Sequence, residues 1–177
     1  NSRCKDNKIK KFFYLALFIQ VIILIIDNYI VDFPLINVDA RAHEGMAWFS
    51  YENNVNIGRG EYNTFILNPI YRLLKIRVAI IFGAINIICH LIINLNLYDI
   101  YNNLKIERKL KTFLLVISVL SPISLIMRAG ILREAIMIMF ISYSLKKFIN
   151  FVLYKRNLDI ILTFLFIGIA GVFHNGV

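Results

Sequence analysis

Asp39 and His43 stand four residues apart in the run Asp39-Ala40-Arg41-Ala42-His43-Glu44, so on a helix they share one face. Arg41, Glu44 and Trp48 share another. A carboxylate beside an imidazole can take the proton of a sugar hydroxyl as a general base. The same carboxylate could ligate a divalent cation that binds a pyrophosphate. The plainer alternative makes Asp39 a helix N-cap and Arg41 and Glu44 a solvated pair. A second group is Arg128 with Arg133-Glu134. Guanidinium forks grip phosphate oxygens two at a time, which suits a lipid-linked phosphate; the alternative is arginines snorkelling from span ends. His174, in Phe173-His174-Asn175-Gly176, adds one more base. The catalytic candidates are therefore Asp39, His43, Glu44 and His174, with Arg41, Arg128, Arg133 and Glu134 as substrate-binding candidates. No spacing of Cys and His suggests a transition-metal site.

The elements that position these residues are apolar. Of 177 residues, 59% are hydrophobic, and the mean hydropathy is +0.67, which excludes an ordinary soluble domain. A helix crosses a ~30 Å hydrocarbon core in roughly 20 residues. Five stretches approach that length: Phe12–Val31, Val78–Tyr98, Leu110–Met127, Ile131–Leu153 and Asp159–Phe173. The expected fold class is all-α, a polytopic integral membrane protein with about five transmembrane helices. Residues 1–177 form a single membrane domain, expected to be the N-terminal part of a longer protein. The first stretch is followed by Asp27-Asn28-Tyr29 and not by small residues, so it reads as an uncleaved signal anchor. Asp32-Phe33-Pro34 ends it. The long first loop, 32–77, is expected to hold an interfacial helix over Val38–Tyr51, with Met46, Trp48 and Phe49 on its apolar side. Gly58-Arg59-Gly60 reads as a turn, and Tyr62–Leu74 as an apolar segment interrupted at Asn68-Pro69.

Charge sets the sidedness. Thirteen of the 20 Lys and Arg residues fall in Arg3–Lys11, Lys105–Lys111 and Lys146–Arg156, which alternate with the gaps holding the candidate residues. The positive-inside rule makes the basic segments and the N-terminus cytoplasmic and the candidate residues external. Arg128 and Arg133 run against that rule, which marks them for phosphate binding. The pI of about 9.7 does not imply nucleic acid, because no aromatic residues interleave the cations on an exposed face. The cations suit the anionic headgroups of membrane lipids. The two cysteines, Cys4 in the leader and Cys89 within a span, cannot meet.

Within the spans, Asn86, His90 and Asn94 recur every four residues and share a face. They read either as hydrogen-bonding glue between helices or as a polar path through them. Ser121-Pro122 is expected to kink the third span.

Taken together, Asp39-Ala40-Arg41-Ala42-His43-Glu44-Gly45-Met46-Ala47 resembles the Asp-bearing first outer loop of GT-C-type glycosyltransferases. The run from Ser121-Pro122 through Arg128-Ala129-Gly130-Ile131-Leu132-Arg133-Glu134 to Phe173-His174-Asn175-Gly176 is similar to bacterial O-antigen and exopolysaccharide polymerases. The resemblance implies a polyprenyl-linked saccharide as donor, the bacterial cytoplasmic membrane as location, and other polysaccharide-assembly membrane proteins as partners. Arg41 stands where an Asp-x-Asp pattern would carry its second carboxylate, so a divalent cation is not required by the motif. The rival reading is a transporter or flippase subunit using the Asn86/His90/Asn94 stripe.

Overall fold

The computed structural model describes residues 7–29, 34–55, 62–77, 80–120 and 132–174. Among them are seven helices and several short turns, with no strand: α1 (Asn7–Tyr29), α2 (Pro34–Glu52), α3 (Tyr62–Leu74), α4 (Ile80–Asn103), α5 (Arg108–Leu120), α6 (Leu132–Tyr154) and α7 (Asn157–His174). Four of the five apolar stretches lie largely within helices, the third, Leu110–Met127, lies in α5 as far as Leu120 with the rest outside the described residues, and the first loop holds the other two helices. The Gly58–Gly60 turn, the Ser121-Pro122 kink and the turn at Arg128 lie outside the described residues.

Two local expectations are corrected. Pro34 opens α2, at a first-turn position whose N–H would go unbonded anyway. Asp39 therefore lies inside the helix and is not its N-cap. Pro69 sits within a continuous α3 and does not interrupt it. Its ring is on the exposed side, where the carbonyl deprived of its donor can turn to solvent.

Four helices stop by the same device. Asn54, Lys75, Lys105 and Lys155 have φ of 52°, 55°, 53° and 54°, just beyond the ends of α2, α3, α4 and α6. The left-handed residue lets Val55 N–H reach Ser50 O at 3.1 Å and Ile106 N–H reach Tyr101 O at 3.0 Å, which satisfies the last carbonyls. A side chain in that conformation costs about 1–2 kcal/mol. Lys105→Gly should therefore raise stability by about 1 kcal/mol, measured as a higher unfolding midpoint.

The side-chain contacts fix how the helices run. α4 and α6 are parallel, because Asn96 pairs with Ser142, Asp99 with Lys146 and Asn103 with Asn150 in ascending order. α5 is the return leg between them and lies antiparallel to α4, with Ser118 on Asn94 and Lys111 on Asn102. α7 folds back on α6, where Phe140 stacks on Phe166 and Phe173 at centroid distances of 6.1 and 6.0 Å. α1 also packs antiparallel to α4: Leu24 covers Gly83, and Phe13 packs with Tyr98 and Leu115. A Cβ at Gly83 would occupy the space of the Leu24 side chain, so glycine permits this close approach.

The bundle thus has two unlike ends. At the basic end lie the turns around Lys105 and Lys155 and the starts of α1 and α5. At the other end α2 and α3 pair and cap the bundle. Two segments, Gly83–Asn103 and Glu134–Tyr154, are long and apolar enough to cross a membrane; Lys11–Ile26 and Asn157–Phe173 are shorter apolar helices. Tyr14, Phe18, Phe113, Leu158, Ile161 and Phe164 are each at least 60% exposed on α1, α5 and α7. That is an apolar belt of the sort that a membrane or a partner covers.

Candidate functional site at the cap end

One core gathers the separated candidate segments. Ala47, Leu67, Tyr71, Cys89, Ala135 and Ile136 are buried together, with Trp48, Tyr51, Ile81, Ile85, Phe140 and Phe173 packed against them. Ala135 adjoins Glu134 and Phe173 adjoins His174, so α2, the start of α6 and the end of α7 converge at the cap. Asp39, Arg41, Glu44, His43, Arg133, Glu134 and His174 all belong to these three helices. The side chains of Asp39, Arg41, His43, Arg133 and His174 lie outside the described ones, as does all of Arg128.

Glu44 overturns the expectation of a solvated Arg41–Glu44 pair. It is 3% exposed, and its partners come from α3 and the segment after it. The Tyr71 hydroxyl donates to Oε1 at 2.6 Å. Arg77 donates through Nε to Oε1 and Oε2 at 3.0 and 3.1 Å, and through Nη2 to Oε2 at 2.6 Å. This is the two-pronged geometry in which Arg–carboxylate pairs are strongest. Gly45 leaves room beside it: an added Cβ there would come within 3.7 Å of Arg77 Nη2. Burial pushes the Tyr71 phenol well above its ordinary range, helped by the bond to Glu44 and the carboxylate's charge and opposed by Arg77. The phenol therefore stays a donor. The bond to Glu44 holds the Arg77 guanidinium above its ordinary value, against a smaller burial effect.

Around this triad the cap is aromatic. Trp48 meets Tyr71 edge-on at 5.2 Å and Tyr51 at 5.2 Å. Asn68 Nδ2 donates to Ser50 Oγ at 3.4 Å, and Ser50 Oγ donates to Val55 O at 2.6 Å. The arrangement fixes α2, the helix that carries Asp39 and His43, against α3. Glu44, with both oxygens engaged, is suited to positioning and not to accepting a proton from substrate.

The polar stripe on α4 turns inward. Asn86, His90 and Asn94 are all buried. Asn94 donates to His90 O at 2.9 Å and accepts from Ser118, which is the glue arrangement. Asn86 is fully enclosed, and neither its Oδ1 nor its Nδ2 has a partner among the described residues. Toward the basic end the stripe continues through residues that sequence reasoning missed. Asn96 donates to Ser142 at 3.0 Å, Lys146 pairs with Asp99 at 2.5 Å, and Asn103 donates to Asn150 at 2.7 Å. Lys147 pairs with Asp159 at 2.9 Å in the first turn of α7, where a carboxylate also suits the helix dipole. α6 runs on through Lys146-Lys147 to Tyr154.

The fold and the cap define an all-helical protein with candidate membrane spans and a helical lid at one end. Comparison with protein-family models, curated proteins and solved structures finds no match.

Proposed function

We propose that this chain is a multi-pass membrane glycosyltransferase of the polysaccharide-polymerase kind, acting on a polyprenyl-linked saccharide at the outer face of a bacterial cytoplasmic membrane. In this reading α1, α4, α5, α6 and α7 are the spans, the basic end is cytoplasmic by the positive-inside rule, and the cap is external. The observation that carries it is the shared core of Ala47, Trp48, Ala135 and Phe173. That core draws the three candidate segments to the end of the bundle where a lipid-linked donor presents its phosphate.

Arg128 and Arg133 hold the donor's phosphate oxygens, Glu134 orients one guanidinium, and Arg41 steers the saccharide. The acceptor hydroxyl attacks the anomeric carbon as the bond from that carbon to the phosphate oxygen breaks. The hydroxyl proton passes to Asp39, with His43 or His174 as the other base within the three helices. The lipid phosphate leaves with the bonding pair, and the arginines neutralise its growing charge, the largest electrostatic task of the reaction. A divalent cation on Asp39 is the other way to meet that task.

Arg133→Ala should lower polymer formation in isolated membranes by about 100-fold or more, the usual cost of losing one charge-stabilising donor, with Arg133→Lys between the two. Unchanged polymer in Arg133→Ala would sink the phosphate role. A second reading, a transporter or flippase subunit, draws on the enclosed and unpartnered amide of Asn86 within the stripe. A transporter should fail with His90→Leu and tolerate Asp39→Asn; the enzyme should do the reverse.

A further inference from the structure

Among the described residues, the most exposed large apolar side chain is on the cap and not on a span. Leu73, in the last turn of α3, is 82% exposed, and Ile76, just past the end of that helix, is 57% exposed. Leu67 and Tyr71 on the same helix are fully buried in the cap-end core, with Ile70 packed beside them. α3 is therefore apolar on two sides, and the packing covers only one of them. Trp48, which by its type was expected to face an interface, is turned inward onto Tyr71 at 5.2 Å. Exposed apolar surface of this kind calls for something to cover it.

The level of α3 in the fold says what that is. Leu67 and Tyr71 share their buried cluster with Ala135 and Ile136, which stand at the start of the candidate span Glu134–Tyr154, and with Cys89, well inside the candidate span Gly83–Asn103. α3 thus lies beside the ends of the spans and not above them. Chain continuity agrees, since Ile76 precedes Ile80, the first residue of α4, by four residues, a reach of at most about 14 Å. At that level the surroundings are the headgroups and the first acyl carbons of one leaflet. Arg72 and Lys75 flank Leu73 and are exposed, and neither has an acidic partner among the described residues. Pro69, also exposed, leaves a helix carbonyl to be hydrated, which the headgroup layer can do and the hydrocarbon core cannot.

We propose that residues 72–77 anchor the cap in the outer leaflet, with Leu73 and Ile76 at the boundary of headgroups and acyl chains and Arg72 and Lys75 on lipid phosphates. Leucine and isoleucine interleaved with lysine and arginine is the composition of segments that lie in this layer, and the cations fit anionic headgroups. Water would leave Leu73 and Ile76 uncovered, and a second copy seated on the same face would set Arg72 and Lys75 against their own kind. The anchor rests on the membrane reading of the helices and needs none of the chemistry proposed for the cap. Its consequence is a direction of approach: a substrate carried on a lipid reaches the cap sideways, from within the leaflet.

The test puts a nitroxide on a single introduced cysteine in the full chain, in phosphatidylcholine vesicles with and without phosphatidylglycerol. The background is Cys4→Ser, with the buried Cys89 left in place. Collision with oxygen, which concentrates in hydrocarbon, is compared with collision with a water-soluble nickel chelate. Ile161→Cys, at a position 62% exposed on α7, marks the lipid side of a span, and Arg156→Cys marks water at the basic turn. The oxygen-to-nickel ratio at Leu73→Cys should be severalfold above that at Arg156→Cys. Phosphatidylglycerol should raise it further, and Arg72→Gln/Lys75→Gln should abolish that rise. Three results would overturn the anchor: a Leu73→Cys ratio no higher than that of Arg156→Cys; little collision with either reagent, which means that protein covers this face; or a phosphatidylglycerol effect that is absent or survives in the double variant. If Ile161→Cys also behaves as water-exposed, the membrane reading has failed with it; if Ile161→Cys reports lipid, the anchor alone has failed.

Discussion

Lys146→Met should destabilise the helical bundle by about 3–5 kcal/mol, the usual result of leaving one member of a buried ion pair behind. Lys146 and Asp99 meet at 2.5 Å with side chains only 13% and 21% exposed. Removing the ammonium takes from the Asp99 carboxylate the cation that ties α4 to α6 at this level. Asp99→Leu/Lys146→Met should recover most of the loss, because two well-packed apolar side chains replace two desolvated charges. Asn96 and Ser142 keep their own hydrogen bond in that variant. The Lys147–Asp159 pair is the comparison: Lys147 is 28% exposed, so Lys147→Met should cost about 1–3 kcal/mol. Unfolding in mixed micelles by increasing SDS fraction, followed by far-UV circular dichroism, measures all three variants. If the double variant is no more stable than Lys146→Met, the pair is not what registers α4 against α6.

Much of the helical framework was legible because hydropathy is a local signal. Five apolar stretches gave five helices, and Pro34 and the basic turns marked where several begin or end. The inward direction of Asn86, His90 and Asn94 also followed from spacing alone. What spacing cannot carry is pairing at a distance. Asp99 and Lys146 are separated by 47 residues and Glu44 and Arg77 by 33, and neither partner predicts the other. The consequence reached the topology argument itself. Lys146 and Lys147 counted as free flanking cations, yet both are bound to carboxylates inside the fold. Lys155 and Arg156 remain at the turn to support the same sidedness, and acidic partners contribute little to the rule. The plainer alternative for Glu44, a surface charge beside Arg41, fails for the same reason. Its identity as a clamp depends on Tyr71, which nothing local to α2 announces.

That clamp sets the second expectation. Glu44→Ala should loosen the cap by about 3 kcal/mol, because it strands the buried Tyr71 hydroxyl and releases Arg77 together. Arg77→Ala should cost less, about 2 kcal/mol, since its side chain is 50% exposed and water screens part of the interaction. Tyr71→Phe removes one hydrogen bond to a charged group, worth about 1.5–3 kcal/mol. The chain's single Trp makes these losses visible, because Trp48 packs edge-on against Tyr71 and its fluorescence follows the cap. The pH dependence has a definite sign. With its folded pKa raised, Tyr71 contributes stability in full below its unfolded value of about 10 and loses it as pH climbs toward the folded value. Tyr71→Phe should therefore flatten the alkaline fall in the Trp48 transition. The far-UV transition, reporting the bundle, should move little in these cap variants and most in Lys146→Met. If both signals shift together in Glu44→Ala, the cap is not a separable lid but part of the bundle's cooperative core. The placement of α2 would then depend on the spans directly, and not on the clamp that joins α2 to α3.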